Sequence, residues 1–266
     1  MVIIGEKINS SIPASRELIE RRDAPALRRL AAAQREAGAD FIDINAGMFA
    51  DREPEYLAFL AKALREEPGM RFSVDTPSPA AAEAALAELG AGGGHLINSV
   101  TPEKERLEGM LPLAKRYGCG VVALCMPETG SPEDMESRLG AARTLVSAVT
   151  GAGLREADIY IDPMLRPLGA DETAGTEALE TIRRLRAEFP GCHISVGLSN
   201  LSFGLPKRRL INRAFAAASV FAGLDAAIAD PLDRELMGMF AAAEALSGRD
   251  EFGMEYIAKC RGGLIG

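Results

Sequence analysis

The chain has 266 residues, 47% of them hydrophobic and 26% charged, with a net charge of −8, no Trp and only 5% aromatics. That length matches the ~250 residues of one (β/α)8 barrel and is enough to bury a core without staples. The acidic balance and the scarcity of aromatics exclude nucleic acid as a main ligand, because phosphates need clustered Lys and Arg and single strands need stacking platforms.

Strands are predicted at 2–8, 41–45, 71–75, 96–99, 120–126, 159–162, 194–199 and 226–229, where short β-branched runs stand between Ala/Leu/Arg/Glu-rich stretches. Such alternation reads as βαβ units, and eight of them in this length fit a closed barrel better than a doubly wound sheet. Residues 10–22 follow the first strand and read as a polar insertion. Asp23 is placed to cap a helix through Leu27, Leu30, Ala31 and Gln34 that Gly38 ends. A helix from Pro77 to Leu89 is closed by Gly90, and Gly92-Gly93-Gly94 lacks the Lys and Ser/Thr of a phosphate loop, so it reads as a turn. Residues 163–176 form a second insertion at a strand's C-terminal end, where long loops shape sites. A helix over Glu177–Phe189 stops at Pro190-Gly191, and the Ala-rich stretches 80–87 and 214–222 suit close packing on a sheet. No linker or composition break interrupts residues 1–266, so a single domain is expected.

Cys119 and Cys125 are expected in the core, and His95 and His193 are expected to be structural. With no Cys-x-x-Cys and two histidines in all, no metal site is expected. Met1 leads directly into a strand rather than a secretory leader, and no apolar run reaches the ~18 residues of a membrane span. A cytoplasmic chain with reduced thiols and no membrane partner is the expectation.

Seven of the eight strands end in a carboxylate, an amide or both. The endings include Glu6 and Asn9, Asp43 and Asn45, Asp75, Asn98, Asp162, Ser199-Asn200 and Asp230. In a barrel these C-terminal ends converge on one site. Carboxylates accept from amino and ring N–H groups, and amides serve both sides, so the ring suits a flat, nitrogen-rich heterocycle. Taken singly, each residue also reads as a turn or helix cap, as Asp75 before Thr76-Pro77 does. Gly197 clears space for a ligand, and Asn200 can place its amide on a reacting nitrogen. Lys207, Arg208 and Arg209, like Arg166, read either as solvated loop or as contacts to an anionic tail or an acidic partner.

The segments Ile3-Ile4-Gly5-Glu6-Lys7-Ile8-Asn9, Asp43-Ile44-Asn45, Val74-Asp75-Thr76 and Ile97-Asn98-Ser99 resemble the pterin-binding, dihydropteroate synthase-like barrels. Tyr160-Ile161-Asp162-Pro163, Gly197-Leu198-Ser199-Asn200, Leu210-Ile211-Asn212-Arg213 and Gly223–Asp230 narrow this to a resemblance to the methyltetrahydrofolate:corrinoid protein methyltransferases. That group includes the acetogen enzyme serving the corrinoid iron–sulfur protein and the folate domain of cobalamin-dependent methionine synthase. The resemblance covers essentially the whole chain. It implies transfer of the N5 methyl group between methyltetrahydrofolate and the cobalt of a corrinoid carried by a partner protein, with no metal of the barrel's own. The partner would be a corrinoid iron–sulfur protein or a demethylase-type corrinoid protein.

By the same resemblance Asp75, Asn98 and Asp162 hold the pterin and Asn200 meets N5. Glu6, Asp43, Asn45, Gly197, Ser199 and Arg208 line or back the pocket. N5 activation by protonation or hydrogen bonding is expected, its proton relayed through water with Asp75 or Asp162 in the network. A homodimer is expected, as in related enzymes. Transfer direction, and folate against methanopterin, stay open. The alternative inside the fold is a dihydropteroate synthase-type pterin transferase, disfavoured because strand seven ends in Ser199-Asn200 rather than Lys and strand eight lacks Ser-x-Arg. The alternative outside catalysis is a noncatalytic pterin-binding subunit.

Overall fold

The computed structural model describes residues 1–67, 69–127, 130, 132 and 134–265. Eight parallel strands, β1 (Val2–Asn9), β2 (Phe41–Asn45), β3 (Phe72–Asp75), β4 (Leu96–Val100), β5 (Gly120–Leu124), β6 (Ile159–Asp162), β7 (His193–Gly197) and β8 (Ala226–Ala229), close in sequential order into a barrel. Around it run α1 (Pro13–Glu20), α2 (Ala24–Glu36), α3 (Glu53–Leu64), α4 (Pro79–Leu89), α5 (Lys104–Tyr117), α6 (Met135–Gly151), α7 (Ala174–Glu188), α8 (Arg208–Ala222), α9 (Arg234–Leu246) and α10 (Met254–Arg261). All eight expected strands are present, and so is the barrel.

Local chemistry explains most boundaries. The Asp23 side chain accepts from the Ala26 N–H and starts α2, and Gly38 leaves it with a φ of +101°. The helix expected from Pro77 begins instead at Pro79, because Ser78 is the cap, accepting from the Ala81 N–H. Asp75 is therefore no cap and stays free for the barrel mouth. The segment 10–22 is not merely a polar loop: Pro13 opens α1, whose Ile19 is buried against the core. The helix expected from Glu177 starts three residues earlier, at Ala174, which is buried. The strands expected over 120–126 and 194–199 are shorter, and residues 198–200 turn into a 3-10 turn.

Strand alternation sorts the side chains into two environments. Outward-facing residues such as Ile3, Ile42, Ile44, Val74, Ile97, Val121, Ile161 and Val196 join the helices in the main core. Inside the barrel a second, smaller apolar layer is formed by Ile4, Phe41, Leu96, Val122, Tyr160 and Ala226. Two residues further along each strand the same inward face carries Glu6, Asp43, Asn98 and Asp162. The barrel thus has an apolar floor and a polar mouth.

One irregularity aims the mouth. The β1–β2 register shifts between Gly5 and Ile8, so β1 bulges there. The Lys7 N–H is satisfied by Gln34 Oε1 of α2 at 3.0 Å. Gly5 permits this approach, since a Cβ there would lie 2.6 Å from that oxygen. The bulge turns consecutive residues toward the mouth: Glu6 meets Ser199 of the 3-10 turn and Lys7 meets Asp230 after β8.

Replacing the fully buried Gln34 by Leu leaves the Lys7 N–H without a partner. A loss of about 1–3 kcal/mol in urea denaturation is expected. An unchanged midpoint and slope would show that the bulge does not depend on α2.

Candidate functional site

The mouth is held by four separate groups of hydrogen bonds. Asp43 is buried and accepts from Ser73 Oγ at 2.7 Å and from Asn98 Nδ2 at 3.3 Å. Asn45 Nδ2 donates to the Asp75 carboxylate at 3.0 Å, while its Oδ1 accepts from Ser10 Oγ at 2.8 Å and the Gly47 N–H at 3.1 Å. Glu6 accepts from Ser199 Oγ at 2.9 Å. Asp162, also buried, accepts the N–H of Met164 at 2.8 Å. Pairing across β2–β3–β4 places Asn45, Asp75 and Asn98 at one level. These residues come together as the sequence led one to expect.

The end of β7 has its own construction. A Cβ at Gly197 would lie 2.8 Å from Asn200 Nδ2, so the missing side chain makes room for the Asn200 amide as well as for a ligand. Asn200 itself is exposed and open to whatever enters. Arg208 is exposed, yet its guanidinium is not without a partner. Its guanidinium donates to the Ser199 carbonyl at 2.6 Å and to Ser202 Oγ at 3.1 Å, bracing the turn that carries Ser199 and Asn200. Arg166 is folded inward, paired with Asp171 and with Glu177, which also holds the buried Arg138. Arg209 reaches Asp233 at 3.8 Å and stays largely exposed beside a cleft of about 400 Å³ lined by Lys7, Arg213, Asp230 and Asp233.

Three contributors were not singled out from sequence. Ser73 shares the inward face with Asp75, two residues on, and that spacing was the available signal. The Lys7–Asp230 pair, at 3.0 Å, needs both the bulge and barrel closure. Glu53 reads as an ordinary acid in a helix's first turn, yet it is buried, with Oε1 unpartnered.

Crowding carboxylates in a dry mouth raises their proton affinity. Burial, and then the neighbouring Asp75 charge, holds Asp43 well above the usual carboxylate range. Burial lifts Asp75 to about 6 against the opposing Asn45 hydrogen bond, with the Glu53 charge adding to the rise. Burial lifts Asp162 to about 6 against the N–H bonds from Met164 and Gly197. Glu6 is raised as well, by burial first. At neutral pH the ring is anionic and short of donors, which is the complement of a heterocycle rich in N–H. Among the described residues no three such side chains converge in a metal-holding group.

The family model for pterin binding enzymes matches residues 13–230. A methylcorrinoid:tetrahydrofolate methyltransferase of Eubacterium limosum is 34% identical over 268 aligned residues, covering 100% of this chain and 98% of that protein. The chain belongs to the pterin-binding enzymes, on their methyltransferase branch. Methionine synthase of Mycobacterium tuberculosis is 30% identical over 86% of this chain, which spans only 20% of that larger protein. A Yersinia pestis dihydropteroate synthase structure superposes with a TM-score of 0.67 at 20% identity over 93% of both chains. A second dihydropteroate synthetase structure gives 0.72, also at 20% identity. These structures share the barrel fold. No helix among the described residues of this pterin-binding enzyme is long and apolar enough to cross a membrane.

The raised carboxylates give a testable pH signature. For Asp75 and Asp162 the folded chain binds the proton more tightly than the unfolded chain. Stability from each is fully present below 3.8 and is lost as pH rises to about 6. Each loss is on the order of 3 kcal/mol. His95, which burial holds below 6.5, works in the opposite direction in part of this window. The difference between wild type and Asp75→Asn isolates the carboxylate: the variant gains stability relative to wild type as pH rises from 4 to 7. A parallel pair of pH–stability curves would contradict the buried ring.

Proposed function

We propose that this chain transfers a methyl group from a methylcorrinoid, carried by a partner protein, to N5 of tetrahydrofolate. The observation that carries the reading is that the Asp75 and Asp162 carboxylates, the Asn98 amide and the exposed Asn200 amide stand at the C-terminal ends of the barrel strands, in a chain similar over its full length to a methylcorrinoid:tetrahydrofolate methyltransferase. In this reading Asp162 and Asp75 accept from the pterin amino and ring N–H groups, and Asn98 contributes its amide. Asn45, Asp43 and Glu6 back them, and Gly197 and Ser199 form the wall beneath Asn200.

The chemistry asks little of the protein beyond placement and charge. The N5 lone pair attacks the methyl carbon as the cobalt–carbon bond breaks, with both bonding electrons passing to cobalt, which leaves as Co(I). N5 becomes positively charged and then loses its proton. The Asn200 carbonyl accepts from that N–H in the transition state, and the mouth carboxylates lower the energy of the developing cation. In reverse, N5 must be protonated before it leaves as an amine, and Asn200 serves the same atom. The proton leaves through water, with Asp75 or Asp162 in the relay. Arg208 holds the Ser199-Asn200 turn in register, and the cleft at Arg209 receives the glutamate tail of the folate.

The reading assigns no role to a metal bound by this chain, since the cobalt arrives with its carrier. A dihydropteroate synthase-type reaction is less well supported, because β7 ends in Ser199-Asn200 and β8 in Ile228-Ala229-Asp230, without the Lys and Ser-x-Arg of that group. A noncatalytic binding subunit leaves the exposed Asn200 amide without a task.

The test is methyl transfer from methylcob(III)alamin to tetrahydrofolate, followed by the appearance of Co(I), with Asn200→Ala alongside. Wild-type turnover and a drop of about 10²–10³ in kcat with tetrahydrofolate binding retained are expected. Full turnover in the variant would remove Asn200 from the reaction, and failure of tetrahydrofolate to bind the wild type would overturn the pterin reading.

A further inference from the structure

The other end of the barrel holds a cavity for which methyl transfer has no use. It lies where the strands begin, between the ends of α3 and α4 and the starts of β3 and β4, and measures about 290 Å³. Arg65, Arg71, Gly93 and His95 line it, with Glu67 the one acid among the described residues around it. The base of such a barrel ordinarily serves stability. Two arginines and a buried histidine around an open space do little for packing.

His95 supplies the first donor. It is 4% exposed, and its Nδ1 accepts the N–H of Phe72 at 3.1 Å. Burial, and then the Arg71 charge, holds its proton affinity below the ordinary histidine value, so the ring is neutral at neutral pH. A neutral imidazole carries one proton, and with Nδ1 accepting, that proton stands on Nε2. Among the described residues no protein group accepts from Nε2. A buried donor left in that condition is costly, which favours a ligand that accepts from it. Gly93 controls the approach. A Cβ there would lie 2.2 Å from Nε2, so the glycine keeps this edge of a buried ring open to the cavity. The run Gly92-Gly93-Gly94 is no phosphate loop, yet its middle glycine uncovers a donor.

The charges beside this donor say what it meets. The Arg71 guanidinium stacks 4.1 Å over the Phe41 ring, which fixes its plane, and its stem lies against Gly94. Its ion-pair partner Asp40 stands at 3.7 Å, beyond a hydrogen bond, and already accepts from the Ile3 N–H. Arg65 spends Nη1 on the Glu88 carbonyl and carboxylate. The local field is therefore positive although the chain as a whole is acidic. The volume exceeds what a bare ion fills, and Met70, Leu89 and Glu67 offer an apolar wall and one acceptor to the rest of a ligand. We propose that this cavity binds the oxyanion group, a phosphate or a carboxylate, of a small organic molecule between the His95 Nε2–H and the Arg71 guanidinium, with Arg65 beside them. The site is at the opposite end of β3 and β4 from Asp75 and Asn98, so it does not depend on the methyl-transfer reading.

The chain has two histidines, so imidazole nitrogen NMR of the intact protein reads the site directly. His193, paired with Asp225 at 3.0 Å, is the internal control. Inorganic phosphate and acetate are titrated separately at neutral pH, with chloride holding the ionic strength constant. The His95 proton should stand on Nε2, and that resonance should move saturably with one of the anions while His193 stays still. Saturation by phosphate assigns a phosphorylated ligand, and saturation by acetate assigns a carboxylate. Arg71→Gln should raise the dissociation constant of that anion about tenfold. The wild-type titration needs no variant. A proton on Nδ1 would overturn the proposal, and so would a His95 resonance that neither anion moves or that moves only in step with His193. An Arg71→Gln chain that folds and binds the anion as tightly as wild type would overturn it as well.

Discussion

Everything at the mouth follows from placing carboxylates two residues beyond an apolar floor. A charge inside a barrel lumen is expensive unless it is paired or hydrogen-bonded. Here Asp43 is satisfied by Ser73 and Asn98, Asp75 by Asn45, Glu6 by Ser199 and Asp162 by backbone N–H groups. Among the described residues no ion pair reaches Asp43, Asp75 or Asp162, and Lys7 at the end of β1 is committed to Asp230. The ring is held by neutral donors, so it remains a strong acceptor of further hydrogen bonds. A ligand that brings N–H donors relieves a penalty that the empty fold carries, which is how binding energy is stored in a preorganised site.

The fold was largely legible because its signal is repeated. Eight β-branched runs, each bounded by glycine, proline or a polar turn, leave few alternatives to a barrel. The strand-end residues were legible for the same reason, since Asp75 or Asn98 alone means little but a polar residue at nearly every strand end points to a site. What was not legible depends on a register or on contacts made in three dimensions. Nothing local announces the bulge at Glu6-Lys7, because it arises from the pairing of β1 with β2 and from Gln34 on a helix. The same holds for Arg208 and Arg166. Their sequence neighbourhoods suggest free cations, whereas the fold spends one on the Ser199 carbonyl and the other on Glu177 and Asp171. The helix start at Pro79 was displaced because Ser78, not Asp75, supplies the cap.

The structural likeness to dihydropteroate synthases shows how far one barrel can be shared between reactions. Floor and strand order are common property of the fold, while chemistry resides at the ends of the strands. In this chain the end of β7 is a glycine followed by an amide that folds over the space the glycine leaves, braced by an arginine. In the proposed methyl transfer this arrangement serves a ring nitrogen whose charge changes during reaction. It offers no lysine at that strand end for a diphosphate leaving group.

The central claim is that Asp75 and Asp162 are partly protonated near pH 6 in the empty enzyme and lose those protons to solvent when the N–H donors of a pterin bind. Titration calorimetry of tetrahydrofolate binding, run at pH 6 in buffers of different ionisation enthalpy, measures this directly. The account predicts net proton release at pH 6 that fades by pH 8, since Asp75 and Asp162 titrate at about 6. Binding with no proton release at pH 6, or with net uptake, would contradict it.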